Sequence, residues 1–106
     1  MLNVLFVETP TFTRQILTLL SDDEYARLQE ELASDPDRGD LIRGGGGIRK
    51  LRWAAHRRGK SGGIRIIYYW IRDNGQILML LAYPKSRKDT LTAAETATLR
   101  RLVKEL

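Results

Sequence analysis

Cationic side chains dominate the middle of the chain, and their spacing suits chemistry on a phosphate group. Residues 41–72 contain nine lysines and arginines and no aspartate or glutamate, and the densest stretch, residues 56–65, reads HRRGKSGGIR. Arginine binds phosphate through two parallel hydrogen bonds, and lysine attracts it as a point charge. Like charges at such short range repel unless solvent screens them or a polyanion lies between them. This segment therefore predicts a partner that carries phosphate groups.

The absence of carboxylates from residues 41–72 argues against a magnesium site in this segment, because Mg²⁺ requires oxygen ligands. We expect no metal and no cofactor. RNA can be cleaved without a metal, since the ribose 2′-hydroxyl attacks the adjoining phosphodiester once its proton is removed. Arg65 is the candidate for stabilising the extra charge on the phosphate. Lys60 is the candidate base, because neighbouring cations lower the pKa of an amine.

Each of these side chains also has a simpler interpretation. Lys60 lies between glycine and serine, where a solvated loop lysine is common. His56 is the only histidine, so no second imidazole completes an acid–base pair with it. Tyr83 either ends a strand as a core aromatic or offers its ring for a base to stack on. Arg65 interrupts an apolar strand, so it must face solvent or a partner.

Length and composition limit the number of domains, the available side-chain chemistry and the expected location of the protein. A chain of 106 residues is expected to form one domain, residues 1–106, and 42% apolar with 29% charged residues is typical of a folded protein. With no cysteine it has no disulfide, thiolate nucleophile or cysteine-bound zinc. The N-terminus, MLNVLFVETP, lacks a cationic segment, and its apolar run is too short for secretion or membrane spanning. We therefore expect a cytoplasmic protein without membrane contact.

Charge is distributed unevenly along the chain. Residues 1–40 carry three basic and nine acidic side chains, whereas residues 73–106 carry six basic and four acidic ones. The acid-free segment between them makes the asymmetry sharp. This pattern predicts an electropositive face for a nucleic acid or an acidic partner. The alternative is a solvated basic surface without a specific partner.

Hydrophobic periodicity and turn signals predict an α+β fold in the order β-α-α-β-β-β-α. Helix starts are indicated by Thr9–Pro10 and by the capping boxes Ser21–Glu24 and Thr92–Glu95, and Asp73-Asn74-Gly75 indicates a tight turn. The predicted elements are a strand at 3–8, helices at 10–20 and 21–35, strands at 48–55, 64–71 and 76–83, and a helix from 92 onward with Leu99, Leu102, Val103 and Leu106 facing inward.

The expected architecture is an antiparallel sheet with helices on one face, which leaves the other face open to solvent. Alternation along the second predicted strand puts Lys50 and Arg52 on the face opposite Leu51 and Trp53. If Arg65 lies on the open face, it meets these two cations and the cationic loop there. We therefore expect an exposed Arg65 whose removal changes stability little.

Three motifs, in this order, resemble the HigB toxins of the RelE superfamily: GGGGIRKLRW, GKSGGIRIIYYW and AYPKSRKDTLTAAE. The N-terminal FVETPTF and LSDDEYARLQEELASDPDRGDLI match the same branch, so the resemblance covers nearly the whole chain. It implies a RelE-like two-layer fold, in which helices flank a sheet. It also implies the toxin of a type II toxin–antitoxin system, which inhibits translation by cleaving mRNA in the ribosomal decoding site.

The resemblance further implies which residues act. The second motif supplies Lys60 and Arg65 to the cleavage site, together with Arg58, which stands where lysine is familiar and cannot readily be a base. The third motif supplies Tyr83 and Lys85. Arg87 stands where an acidic residue is common. The candidate catalytic residues are thus Arg58, Lys60, Arg65 and Lys85, and the candidate RNA-binding residues are Lys50, Arg52, His56, Arg57, Tyr83 and Arg87.

The partners implied by the resemblance are mRNA on the ribosome and a cognate antitoxin with a helix-turn-helix domain. Operator DNA is then contacted only through the antitoxin complex. Two other function classes stay open. One is a toxin that inhibits by binding, such as the ParE-like gyrase inhibitors of the same superfamily, and the other is a basic RNA-binding module without activity.

Overall fold

Five strands form one sheet in residues 4–54 and 63–106, which are the residues described by this computed structural model. The strands are β1 (Leu5–Glu8), β2 (Asp40–Leu41), β3 (Arg49–Trp53), β4 (Ile64–Ile71) and β5 (Gln76–Pro84). Their order across the sheet is β1-β5-β4-β3-β2. β1 runs parallel to β5, and the other neighbouring pairs are antiparallel. β4 is therefore the central strand.

The helices of the described chain are α1 (Pro10–Leu19), α2 (Asp22–Ser34) and α3 (Ala93–Lys104). Each begins where the sequence predicts a cap. The Thr9 side chain accepts a hydrogen bond from the backbone N–H of Phe12, and both predicted capping boxes are formed. These caps satisfy backbone N–H groups that have no partner inside the first turn of a helix. No helix of the described residues has the length and apolar character needed to span a membrane.

A hydrophobic core lies on each face of the sheet. On one face Phe12 of α1 belongs to a buried cluster with Ile66 of β4. On the other face Val103 of α3 belongs to a second cluster with Ile67 and Leu80. Helices therefore cover both faces, because β4 carries apolar side chains on both and a solvated face would leave half of them in water.

The predicted α+β class and the order of the main elements agree with the structure, and four details differ. The helices do not all lie on one face, since α3 packs against the face that was expected to be open. The sheet is mixed, because β1 pairs with β5 in parallel. No hairpin joins these two strands, so no short turn forces them to run antiparallel. β2, which was not predicted, adds a short edge to β3. Leu102 and Leu106 are exposed, whereas Val103 is buried as expected.

A bulge in β5 shapes the side of the sheet that faces α3. The pairing passes from Ile67 opposite Leu81 to Tyr68 opposite Met79, which leaves Leu80 as the extra residue. Leu80 and Leu81 consequently both belong to the core on the α3 side. A bulge of this kind lets two successive residues point to one face and increases the local twist. Beyond it, normal pairing resumes toward the end of the sheet where β3 ends and β4 begins.

Candidate functional site

Three of the predicted cations meet at one end of the sheet, where β3 and β5 end and β4 begins. Arg65 lies opposite Arg52 on β3 and opposite Tyr83 on β5. Lys50 lies two residues before Arg52 on β3, opposite Ile67. Side chains at opposed positions of neighbouring strands share one face of the sheet. The predicted convergence of Lys50, Arg52 and Arg65 on a single face is therefore observed.

Arg65 itself is buried, contrary to the expected exposed position, and only 4% of the residue is accessible to solvent. Its Nε donates a hydrogen bond to Oδ1 of Asp89 at 2.8 Å, and its Nη1 lies 3.3 Å from the carbonyl of Ile64. The prediction failed because this face is covered by chain that follows β5, including Asp89 and α3. A charge at this depth must be paired, so its removal disturbs the fold more than the loss of a surface cation.

The acid that pairs with Arg65, Asp89, was not singled out by any sequence pattern. Lys50 Nζ donates a hydrogen bond to the main-chain carbonyl of Asp89 at 3.0 Å. The hydrogen bond from Arg65 holds the pKa of the Asp89 carboxyl below its usual value, and the charges of Arg65, Lys50 and Lys85 act in the same direction, while desolvation opposes them. An arginine inside an apolar strand predicted that its side chain faces solvent or a partner. Nothing local indicated which of the thirteen acidic residues it is.

Arg52 forms a second ion pair beside Arg65, and this one is exposed. Its Nη1 lies 2.8 Å from Oδ2 of Asp40 at the edge of the sheet. Exposed pairs contribute little to stability because water and salt screen them. Arg52 can therefore exchange Asp40 for another anion at small cost.

Tyr83 is a core residue in this structure, which is the first of its two predicted interpretations. It is 3% accessible and belongs to the cluster on the α3 side, so no ring face is open for a base to stack on. Lys88 Nζ lies 5.3 Å from the centre of its ring. Burial raises the pKa of the Tyr83 hydroxyl, and the negative charges of Glu95 and Asp89 raise it further. Base stacking on Tyr83 thus requires the ring to leave its present position.

Lys85 and Arg87 follow β5 and are exposed. The backbone N–H of Lys85 donates to the carbonyl of Gly63 at 3.1 Å, which ties the end of β5 to the start of β4. The Lys85 ammonium contributes to the lowered pKa of Asp89, so its charge acts on the same anion position as Arg65. Arg87 is placed by a backbone hydrogen bond to Pro84.

Four candidate residues lie outside the described part of the chain: His56, Arg57, Arg58 and Lys60. The chain leaves β3 after Trp53 and is described again from Gly63, and Trp53 pairs with Ile64. The described residues on either side, Trp53 and Ile64, lie at the end of the sheet where Arg65 lies. The roles of the four candidates stay predictions.

The described site gathers several cations around one acidic residue. Arg65 bonds to the Asp89 carboxylate, Lys50 bonds to the main-chain carbonyl of the same residue, and the charge of Lys85 helps to lower the pKa of that carboxylate, while Arg52 lies opposite Arg65 on β3. Across residues 4–54 and 63–106, no three histidine, aspartate or glutamate side chains come together as a set of metal ligands.

Two comparisons place the chain among known proteins. A family model described as the RelE toxin of the RelE/RelB toxin–antitoxin system matches residues 8–106. The chain belongs to the RelE toxin family. Its fold is also similar to that of a double arginine-to-alanine mutant of the E. coli toxin RelE in the free state, with a TM-score of 0.54, 15% sequence identity and 97% of each chain covered.

Membership of the RelE family confirms the toxin–antitoxin class that the three motifs predicted. The structural match confirms the RelE-like α+β fold. The HigB branch within this superfamily stays a prediction, as do the catalytic and RNA-binding roles of individual residues.

Proposed function

We propose that this RelE-family chain is a ribosome-dependent mRNA endonuclease that inhibits translation. The observation that supports this proposal is that the buried Arg65 binds a carboxylate, that of Asp89, while Lys50 and Lys85 add positive charge around the same residue. A phosphodiester is an anion that such a set binds well, because arginine contacts two of its oxygens at once. Family membership supplies the class of toxin, and the charge geometry supplies the candidate position of the scissile phosphate.

The reaction that suits these residues is an internal transesterification. The ribose 2′-oxygen forms a bond to phosphorus while the bond from phosphorus to the 5′-oxygen breaks, which leaves a 2′,3′-cyclic phosphate and a 5′-hydroxyl. Arg65 and Lys85 stabilise the extra negative charge that develops on the phosphate. Lys50 and Arg52 bind neighbouring phosphates and fix the register of the RNA. Because the substrate supplies the nucleophile, no step requires a metal ion.

Two protons move during this reaction. Lys60 accepts the proton of the 2′-hydroxyl, since crowding by Arg57 and Arg58 favours the neutral amine that a base requires. A second proton reaches the 5′-oxygen as that oxygen leaves. His56 is the second choice as base, because the chain has no other histidine to share the acid–base work. Arg58 stays charged and adds to phosphate binding.

The proposed partner is an antitoxin with a helix-turn-helix domain, as in the HigB branch that the motifs resemble. Through it the complex contacts operator DNA. The proposed substrate, mRNA on the ribosome, places the active chain in the cytoplasm.

Because Arg65 is buried, Arg65→Lys is a sharper test than truncation, as it keeps the positive charge and loses the planar, two-pronged contact. We expect single-turnover cleavage on programmed ribosomes to fall about 10²-fold. The matched control is Arg49→Lys, since Arg49 is also bound to an aspartate but lies on the opposite face of β3. The control should keep its cleavage rate. An Arg65→Lys variant that cleaves at the wild-type rate contradicts the proposal.

The products and further variants extend the same assay. Cleaved mRNA should carry a 2′,3′-cyclic phosphate or 3′-phosphate, and a 3′-hydroxyl with a 5′-phosphate contradicts the 2′-hydroxyl route. Lys60→Ala should slow cleavage more than His56→Ala does, and the reverse order assigns the base to the imidazole. Inhibition of gyrase supercoiling without mRNA cleavage supports the binding-toxin alternative.

A further inference from the structure

Asp89 holds the position at which the proposed function requires an RNA phosphate. Its Oδ1 accepts the hydrogen bond of Arg65 Nε at 2.8 Å, and Lys50 donates to its main-chain carbonyl. A carboxylate presents oxygen atoms to arginine in the same two-pronged manner as a phosphate does. The cation cluster is thus already occupied by an anion of the chain itself.

The two partners of this ion pair differ in burial, and the difference decides which of them can move. The Arg65 side chain is 5% exposed, whereas the Asp89 side chain is 49% exposed. Arg65 lies in the central strand, where β3 and β5 pair with it on either side. Asp89 lies in the connection between β5 and α3, outside any strand or helix. An anion arriving from solvent therefore reaches Arg65 Nε by displacing Asp89, and not by moving Arg65.

The exchange is chemically balanced. When a phosphate takes the place of the carboxylate, Arg65 keeps a negatively charged partner, so no buried charge is left unpaired. Asp89 is half exposed, so water can solvate it after release. Lys50, which donates to the main-chain carbonyl of Asp89, and Lys85 add positive charge near this position, and that charge favours either anion.

We propose that Asp89 is an intramolecular gate, which occupies the phosphate position of Arg65 and must release it before RNA binds. This inference rests on the proposed function, since it takes RNA phosphate as the displacing anion. The tethered carboxylate competes with every phosphodiester, so RNA free in solution binds weakly. Contacts that draw the connection between β5 and α3 away from Arg65, as on the ribosome, raise the affinity of the site.

The test compares Asp89→Asn with the wild-type chain in binding a short single-stranded oligoribonucleotide whose 2′-hydroxyls are methylated, so that it cannot be cleaved. Asparagine keeps the shape and a hydrogen-bond acceptor but removes the charge. We expect Asp89→Asn to bind about fivefold more tightly in about 0.1 M salt, measured by fluorescence anisotropy, because the competing ion pair is gone. Equal or weaker binding, including no detectable binding by either protein, overturns the gate.

Asp37→Asn is the matched control for net charge. Asp37 is 48% exposed and is also paired with arginines, Arg49 and Arg72, but Arg49 lies on the opposite face of β3. We expect this variant to bind the oligonucleotide within about twofold of wild type, as a distant charge is largely screened. A gain equal to that of Asp89→Asn shows that net charge alone explains the effect and overturns the inference.

A double-mutant cycle with Arg65→Gln shows whether the gate acts through Arg65. We expect no gain from Asp89→Asn in that background, and a retained gain overturns the assignment. Circular dichroism confirms that the variants are folded, and the comparison of Asp89→Asn with Asp37→Asn needs no Arg65 variant. The gate and the proposed function can fail separately. If Asp89→Asn binds the oligonucleotide more tightly but the wild-type chain does not cleave mRNA on ribosomes, the gate stands and only the proposed function is overturned.

Discussion

Tyr68 and Tyr83 are both buried, yet their hydroxyl groups have opposite surroundings. The Tyr68 hydroxyl donates to the carbonyl of Pro36 at 2.7 Å and accepts from the backbone N–H of Gly39 at 2.8 Å. It thereby ties the segment before β2 to the central strand. The Tyr83 hydroxyl has no hydrogen-bond partner among residues 4–54 and 63–106. The Tyr68 hydroxyl therefore links two segments through hydrogen bonds, whereas the Tyr83 hydroxyl is a buried polar atom that makes none.

These surroundings predict different costs for the same change. Tyr68→Phe removes two hydrogen bonds and leaves a carbonyl and an N–H without their partner, so we expect a loss of about 2 kcal/mol in the free energy of unfolding. Tyr83→Phe should stay within about 0.5 kcal/mol of wild type. Urea denaturation of both variants at neutral pH measures the difference. Equal losses would show that the two hydroxyls have similar surroundings, in conflict with the structure.

At the scale of elements, the hairpin of β3 and β4 depends on a glycine. Gly63 has a φ of 59°, and a Cβ there would lie 2.1 Å from the carbonyl oxygen of Trp53. Its own carbonyl accepts the hydrogen bond of Lys85 N. Gly44 shares the positive φ, at 75°, but a Cβ there would meet no atom within 4 Å. The two positions therefore share backbone strain and differ in steric contact.

Alanine substitution separates these two effects. Gly44→Ala should cost about 1 kcal/mol, which is the strain of a side chain in the left-handed region. Gly63→Ala should cost about 3 kcal/mol or more, because the backbone of Trp53 must also move. Thermal unfolding followed by circular dichroism compares both with wild type. If Gly63→Ala is no worse than Gly44→Ala, the two strands do not approach each other as closely as described.

Element boundaries were largely predictable from the sequence, because caps and turns act over a few residues. Thr9, Ser21 and Thr92 each marked a helix start that the structure contains. The face that α3 covers was not predictable in this way, since no local signal decides to which side of the sheet a helix returns. The available clue was the apolar run of β4, where Ile66 and Ile67 each needed a core on its own side.

Over the whole molecule, ion pairs between distant segments supply negative charge to the segment that has no acidic residues of its own. The acid-free segment 41–72 receives acids from elsewhere in the chain. Among the described residues, the pairs between this segment and outside aspartates are Arg49–Asp37, Arg52–Asp40, Arg65–Asp89 and Arg72–Asp37. Composition predicted the cluster of cations, and strand alternation predicted the face that Lys50 and Arg52 share. The paired acids could not be predicted, because side chains up to 35 positions apart meet only after folding.

Two ion pairs, the long-range pair Arg65–Asp89 and the local pair Lys88–Glu95, make stability depend on pH. Hydrogen bonds from Arg65 and Lys88 hold the pKa values of Asp89 and Glu95 below their usual values. A carboxylate whose pKa is lowered by folding stabilises the protein above its unfolded pKa, which is about 4. The contribution is lost as pH falls through the lower pKa of the folded state. Both groups therefore favour folding at neutral pH and cease to do so in acid.

We expect the double variant Asp89→Asn with Glu95→Gln to be less stable than wild type above about pH 5, and the difference should shrink steadily below about pH 4. Glutamine keeps the capping hydrogen bond at position 95, so the lost interaction is chiefly the charge. Urea denaturation of both proteins across this range gives the difference curve, in which the other carboxylates cancel. A difference that is constant with pH would mean that the two substitutions act through packing. Because Asp89→Asn is expected both to be less stable at neutral pH and to bind RNA more tightly, the Asp89 carboxylate stabilises the fold and weakens RNA binding through the same ion pair.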